Sequence, residues 1–191
     1  MPPNMNNFAL PTSLTVGGVG YQIRSGWSHV IKVLIACADP GISRRAKSMI
    51  ILRIVYPDWK NIPAEHIPEA IRKANEFIDC GQTQTGGSKP KLIDWEQDAR
   101  IIVPEINKIA GTEIRANPEL HWWTVWGWFM GIEKGLLANV LSIRRKLASG
   151  KKLDKYENEY YRENKALIDL KQPNSPEQAS ALADIMEWME G

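Results

Sequence analysis

The stretch Leu120-His121-Trp122-Trp123-Thr124-Val125-Trp126-Gly127-Trp128-Phe129-Met130-Gly131-Ile132 decides the fold class. It holds four of the chain's 8 tryptophans within seven positions, in a protein with only 3 phenylalanines. A buried tryptophan needs a surface for its ring and an acceptor for its N–H, so such a cluster implies a built environment. Trp122, Val125, Trp126, Phe129 and Ile132 recur at helical spacing, while Trp123 and Trp128 fall elsewhere on the wheel. The helix is therefore apolar on more than one side. It is either the central helix of a bundle or one that presents aromatic surface to a partner. Asn117-Pro118-Glu119 predicts its start, with a capping side chain and proline at the first helical position, and it runs to about Gly131 or Gly135. The run is too short to cross a membrane, which takes about 20 residues.

Helical patterning extends to both sides. After Trp27, Val30 to Cys37 is apolar on almost every side and reads as a central helix, with a buried strand as the competing reading. Ile42, Ala46, Met49, Ile50 and Ile54 form the next stripe, closed by Tyr56-Pro57. Ile67, Ala70, Ile71, Ala74 and Ile78 form a third. Asp94-Trp95-Glu96-Gln97 has the form of a capping box opening a helix through Ile102, Ile106 and Ile109, which Pro104 is expected to kink or break. A long polar helix is predicted from about Asp154 to Leu170. Ahead of all these, two β-favouring runs flank Gly17-Gly18-Val19-Gly20 and read as a hairpin.

The chain is thus read as mainly α, a compact helical bundle with a short N-terminal β-hairpin and a C-terminal acidic helix. Residues 1–12 are expected to be loose. Residues 13–172 form one helical domain with a mobile loop at 81–91, and residues 173–191 form an acidic helical tail. At 191 residues such a chain builds a sufficient core without staples. The formal charge of +2 provides no global field to gather nucleic acid or anionic membrane. The N-terminus lacks the basic patch and apolar core of a signal peptide, so a cytoplasmic protein is expected.

Catalytic patterns fail one by one. His29, His66 and His121 are isolated and there is no Cys-x-x-Cys, so neither a metal site nor a cofactor is expected. Cys37 and Cys80 lie in apolar segments that disfavour a reactive thiolate. His121 reads as a histidine at the rim of the aromatic patch, its ring satisfied by backbone or water. The expected protein is not an enzyme. Arg144, Arg145, Lys146, Lys151 and Lys152 form a basic stretch without an acid, a possible contact patch. The tryptophan helix, however, contains no Lys or Arg, so base stacking and phosphate contact are not interleaved. This argues against nucleic acid.

Several of these motifs, taken in order, carry a resemblance. Leu10-Pro11-Thr12-Ser13, the Gly-x-x-Tyr-x-Ile-Arg run from Gly18 to Arg24, Asp94-Trp95-Glu96-Gln97-Asp98, Leu120-His121-Trp122-Trp123 and Tyr161-Arg162-Glu163-Asn164-Lys165 resemble the bacteriophage "gene product fifteen" family over about Leu10 to Lys171. That family is similar in genomic role to tail-assembly chaperones. The resemblance implies a non-enzymatic factor in the host cytoplasm that holds the tape-measure protein, or another tail protein, before tail polymerisation. Trp122, Trp123, Trp126 and Phe129, where exposed, would anchor the client. The segment after Pro176 lies beyond the resemblance; its four acids and absent bases suit folding back onto the basic stretch, with Leu182, Ile185, Met186 and Met189 as the docking face. Two alternatives stay open: a minor structural tail or connector protein of the virion, and a helical nucleic-acid-binding adaptor. Self-association also stays open.

Overall fold

The structure, a computed structural model, describes residues 9–82 and 90–171. The first eight residues, most of the expected mobile loop, and the acidic tail with Leu182, Ile185, Met186 and Met189 lie outside the described residues.

Strand β1 (Ser13–Val16) pairs antiparallel with β2 (Val19–Gln22), with Leu14 opposite Tyr21 and Val16 opposite Val19. Gly17 and Gly18 alone make the turn, both at positive φ, as a two-residue hairpin turn requires. Val19 and Gly20, read as turn from sequence, are strand. Pairing begins before β1: the Thr12 carbonyl accepts from the Ile23 amide at 2.9 Å, inside the segment expected to be loose. A lone hairpin is unstable in water, and this one is held by burial of Val16 and Ile23 and by Arg24. The Arg24 guanidinium donates to the carbonyls of Arg53 and Ile54, acceptors left open at the end of helix α2 (Arg44–Val55).

The apolar run after Trp27 is helix α1 (Trp27–Ala38), with Val30, Val33 and Ala36 buried at helical spacing. Ser43 caps α2 through the Ala46 amide. Helix α3 (Ile67–Ile78) ends in a Schellman turn, in which the Gly81 amide bonds the Glu76 carbonyl and the Cys80 amide bonds that of Phe77. Helices α1, α2 and α3 and the hairpin enclose a first core that includes Leu52, Ile54, Tyr56, Ala70, Ala74 and Phe77.

The second core is built by α4 (Ala99–Ala110), α5 (Trp122–Met130), α6 (Leu136–Ala148) and α8 (Lys165–Ile168), with α7 (Lys155–Glu163) alongside. Several sequence expectations change here. Pro104 does not break α4, because both it and Arg100, whose carbonyl loses its donor, are exposed to water while Ile101, Ile102, Val103 and Ile106 anchor the other face. Asp94 caps a turn, accepting the Glu96 and Gln97 amides, and α4 opens five residues later, at Ala99. Asn117-Pro118-Glu119 is likewise a turn, with α5 starting at Trp122. The long polar helix is two helices separated at Asn164, which ends α7 and precedes α8. Helix α6 was not legible as a helix.

The two cores meet at α5. Trp122 belongs to the first, Val125 and Phe129 to the second, and Trp27, Trp95 and Trp126 pack against both. The backbone is tied at the same place: the Trp27 amide bonds the Leu120 carbonyl at 2.9 Å and the Trp122 amide bonds that of Ser25 at 2.7 Å. A Cβ at Gly26 would stand 3.0 Å from the Pro118 carbonyl and 3.1 Å from the Glu119 Cα, so any larger residue must push the turn before α5 aside by a few tenths of an ångström.

Candidate protein-binding surface

His121, Trp122 and Trp123 form one junction. The His121 Nδ1 accepts the Trp123 amide at 3.1 Å and so caps α5; its Nε2, which then carries the proton, meets the Pro11 carbonyl at 2.9 Å. The two indoles donate to consecutive carbonyls at the end of α3, Trp122 to Ile78 and Trp123 to Phe77, each at 2.8 Å. The last carbonyls of a helix lack their usual partners; here Trp122 supplies Ile78, and Trp123 adds a second donor to the Phe77 carbonyl that the Cys80 amide already holds. Three neighbouring residues thus join the N-terminal arm, α3 and α5.

This placement sorts the expected anchor residues by exposure. Trp122 is 1% exposed and Phe129 8%, so neither reaches a partner without opening the fold. Trp126 is half-buried, stacked on Phe129 with ring centroids 5.3 Å apart, and its buried indole nitrogen has no hydrogen-bond partner among the described residues. Trp123 is half-buried, with its ring stacked on Phe77. Beside α5 lies a small apolar cavity of about 50 Å³ bounded by Trp27, Trp95, Trp122, Val125 and Phe129.

The basic stretch is corrected too. Arg144 is not on the surface. It is 4% exposed and makes a two-pronged pair with the fully buried Asp98, at 2.6 and 2.9 Å. The same guanidinium donates to the carbonyls of Leu92, Leu167 and Ile168. Lys146 is engaged with Glu157, leaving Arg145, Lys151 and Lys152 as the exposed cations of the five. A three-cation remnant on one helix end is a weaker phosphate-binding feature than the sequence suggested.

The sequence model of the family described as Bacteriophage Gp15 protein matches residues 7–170. The chain belongs to that family. No curated protein and no solved structure matches it. The Gp15 family is one of phage structural and morphogenesis proteins.

The stretches that resemble the Gp15 family are the joints of this fold. Leu10-Pro11-Thr12-Ser13 supplies the carbonyls held by His121 and Ile23. Asp94 to Asp98 forms the turn in which Asp98 accepts the Asp94 amide and grips Arg144. Gln97 bonds the Asp169 carbonyl and the Lys171 amide, clamping the end of the described chain. Tyr161 donates to Asp169 at 2.8 Å, and Asn164 separates α7 from α8.

Neither cysteine is set up to form a thiolate. Burial pushes the Cys80 thiol up to about 12, with the charge of Asp79 adding to it, and burial also raises Cys37 despite Lys47 nearby. No group of three His, Cys, Asp or Glu could hold a metal ion among the described residues, and no described helix is long and apolar enough to cross a membrane. What does reach solvent is a set of apolar residues that the sequence did not single out. Ile109, Met130 and Leu136 are 44, 59 and 39% exposed. They gather at one corner: Gly131, next to Met130, lies against the Ile109 side chain, and the Leu136 amide bonds Glu105, one turn before Ile109. Their signal was an apolar residue at a helix end, which sequence reading assigns to the core.

Proposed function

We propose that this protein is a tail assembly chaperone that holds the tape-measure protein in the host cytoplasm before tail polymerisation. The observation that carries the reading is the family match over residues 7–170, with its morphogenetic role. A tape-measure chain is long and helical, with an apolar face that is unburied until the tail assembles, and such a chain aggregates unless it is covered. The corner of Ile109, Met130 and Leu136 supports the reading as a place where an amphipathic client helix lays its apolar face. It replaces Trp122 and Phe129, which are needed inside.

The test is co-expression with the tape-measure protein of the same genome. The client is expected to become soluble and to co-elute with this protein, and Met130→Asp with Ile109→Asp is expected to abolish both while leaving the circular dichroism unchanged. A client that stays insoluble beside a folded partner counts against the chaperone. Finding the protein in purified particles by mass spectrometry instead establishes a virion component.

A further inference from the structure

Helix α6 outruns its cover. Leu137, Val140 and Ile143 are buried along one side of it, and Leu147 continues that side but is 41% exposed. The Lys146–Glu157 pair sets the end of α6 beside the start of α7, where Tyr156 is 80% exposed. The same end carries Arg145, Lys151, Lys152 and Lys155, all exposed and none with an acidic partner among the described residues. Between 144 and 157 the two acids, Asp154 and Glu157, are engaged with each other's backbone amides, and Glu157 also with Lys146. The chain leaves the described fold close by. Gln97 holds the Asp169 carbonyl and the Lys171 amide, and its neighbour Asp98 grips Arg144, one turn before Leu147. Residues 172–191 follow, with four acids and no base. Within them Leu182, Ile185, Met186 and Met189 fall on one helical stripe, with Glu187 and Glu190 along its border.

We propose that residues 176–190 of the same chain pack as an amphipathic helix across the end of α6 and the start of α7. The apolar stripe covers Leu147 and Tyr156, and Glu187 and Glu190 pair with Lys151 and Lys152. Three arguments select the chain's own segment as the occupant. Charge is complementary, since a surface of unpaired cations meets a segment that carries only acids. Reach suffices: residues 172–175 extend to about 13 Å, against about 4.5 Å along α6 from Arg144 to Leu147. The tether also holds the segment at millimolar effective concentration, so ionic and apolar contacts that are weak singly are enough to seat it. The exposed cations of the basic stretch thus serve the protein's own carboxylates rather than phosphate. This inference stands whether or not the client is the tape-measure protein, and it is separate from the Ile109–Met130–Leu136 corner.

The experiment is carbodiimide cross-linking, which joins a lysine amine to a carboxylate in contact with it. It is run on an equal mixture of light and heavy-isotope full-length protein and read by peptide mass spectrometry. Links from Lys151, Lys152 or Lys155 to Asp184, Glu187 or Glu190 are expected, with both halves of each link carrying the same isotope. Amide exchange then tests the seating. Protection of Leu182 to Met189 is expected in the unmodified protein and should fall about tenfold when Lys151→Glu and Lys152→Glu are combined. Both lysines are exposed, so the far-ultraviolet circular dichroism of the variant should match that of the unmodified protein. Absence of the links overturns the proposal, and so do links of mixed isotope, which would seat the segment on a second copy. Protection that is absent, or unchanged in the charge-reversed variant, overturns it as well.

Discussion

At the scale of single residues, side chains that looked like surface are the ones the fold depends on. Arg144 read as one of five cations on a basic stretch, yet it joins α4, α6 and α8 through Asp98 and three carbonyls. Removing one member of a buried pair leaves the other charged and unsolvated, so Arg144→Met should cost about 3–5 kcal/mol, whereas the exposed Lys151→Met should change stability by less than about 0.5 kcal/mol. Urea unfolding of the two variants checks this; equal midpoints would mean that the network contributes nothing. The tryptophans separate in the same way. Trp122→Phe leaves the Ile78 carbonyl with only the weak Cys80 thiol as donor and should cost about 1–3 kcal/mol. Trp126→Phe removes an indole nitrogen that has no partner among the described residues and should lie well below that in the same assay. Neighbouring letters of one motif thus differ in role. Sequence spacing places Trp122 and Trp126 on one stripe, but the carbonyl that Trp122 meets belongs to a helix more than forty residues away.

At the scale of elements, the helices with clean apolar periodicity were legible, and the ones defined by their ends were not. Helix α3 follows its stripe closely, with Ala70, Ala74 and Ile78 buried along it, whereas α2 buries only its second half, adding Ile51, Leu52 and Val55 to the expected Ile50 and Ile54. The start of α5 was misplaced because Asn117-Pro118-Glu119 carries a stronger local capping signal than His121, while the backbone tie between Ser25 and Trp122 fixes the real start. Helix α6 opens at Gly135, a residue that reads as a stop. The joint between α1 and the turn before α5 also responds to pH. His29 lies 3.2 Å from Glu119, and burial holds its pKa below the ordinary imidazole value, although Glu119 pulls the other way. The unfolded chain then takes up a proton that the folded His29 resists, so stability falls as pH drops through the ordinary histidine range. Urea midpoints at about pH 7.5 and about pH 5.5 should differ less in His29→Gln than in the unmodified protein. An unchanged difference would assign the acid sensitivity between those two values to another group; Asp94 acts only at lower pH. Burial raises that carboxyl, but Lys91 and the Gln97 and Glu96 amides outweigh it and hold it below the ordinary value, so its contribution is lost at lower pH.

At the scale of the whole molecule, the question is whether two cores make one folding unit. Each core has its own helices, and the loop between α3 and α4 is where a sequence reader would divide the chain. Packing argues otherwise. Trp27, Trp95 and Trp126 contact both cores, Trp122 enters the first from a helix whose Val125 and Phe129 fill the second, and Gly26, just before α1, packs closely on the turn before α5. Opening either core exposes the shared aromatic rings, so each is destabilised by loss of the other and unfolding should be a single transition. Tryptophan emission reports the seam and far-ultraviolet circular dichroism reports all the helices, so the two thermal curves should coincide. Helix loss that precedes the change in emission would show that one core unfolds first and that the seam survives it. Coupling also predicts where the molecule is easiest to strengthen. The cavity of about 50 Å³ lies against the seam, and Val125, 3% exposed, borders it. Val125→Ile adds one buried carbon there and should raise stability by about 0.8 kcal/mol, since the new atom meets empty space. Because the seam belongs to both cores, emission and circular dichroism should then move up in temperature together; a shift in one alone would place the two cores on separate transitions.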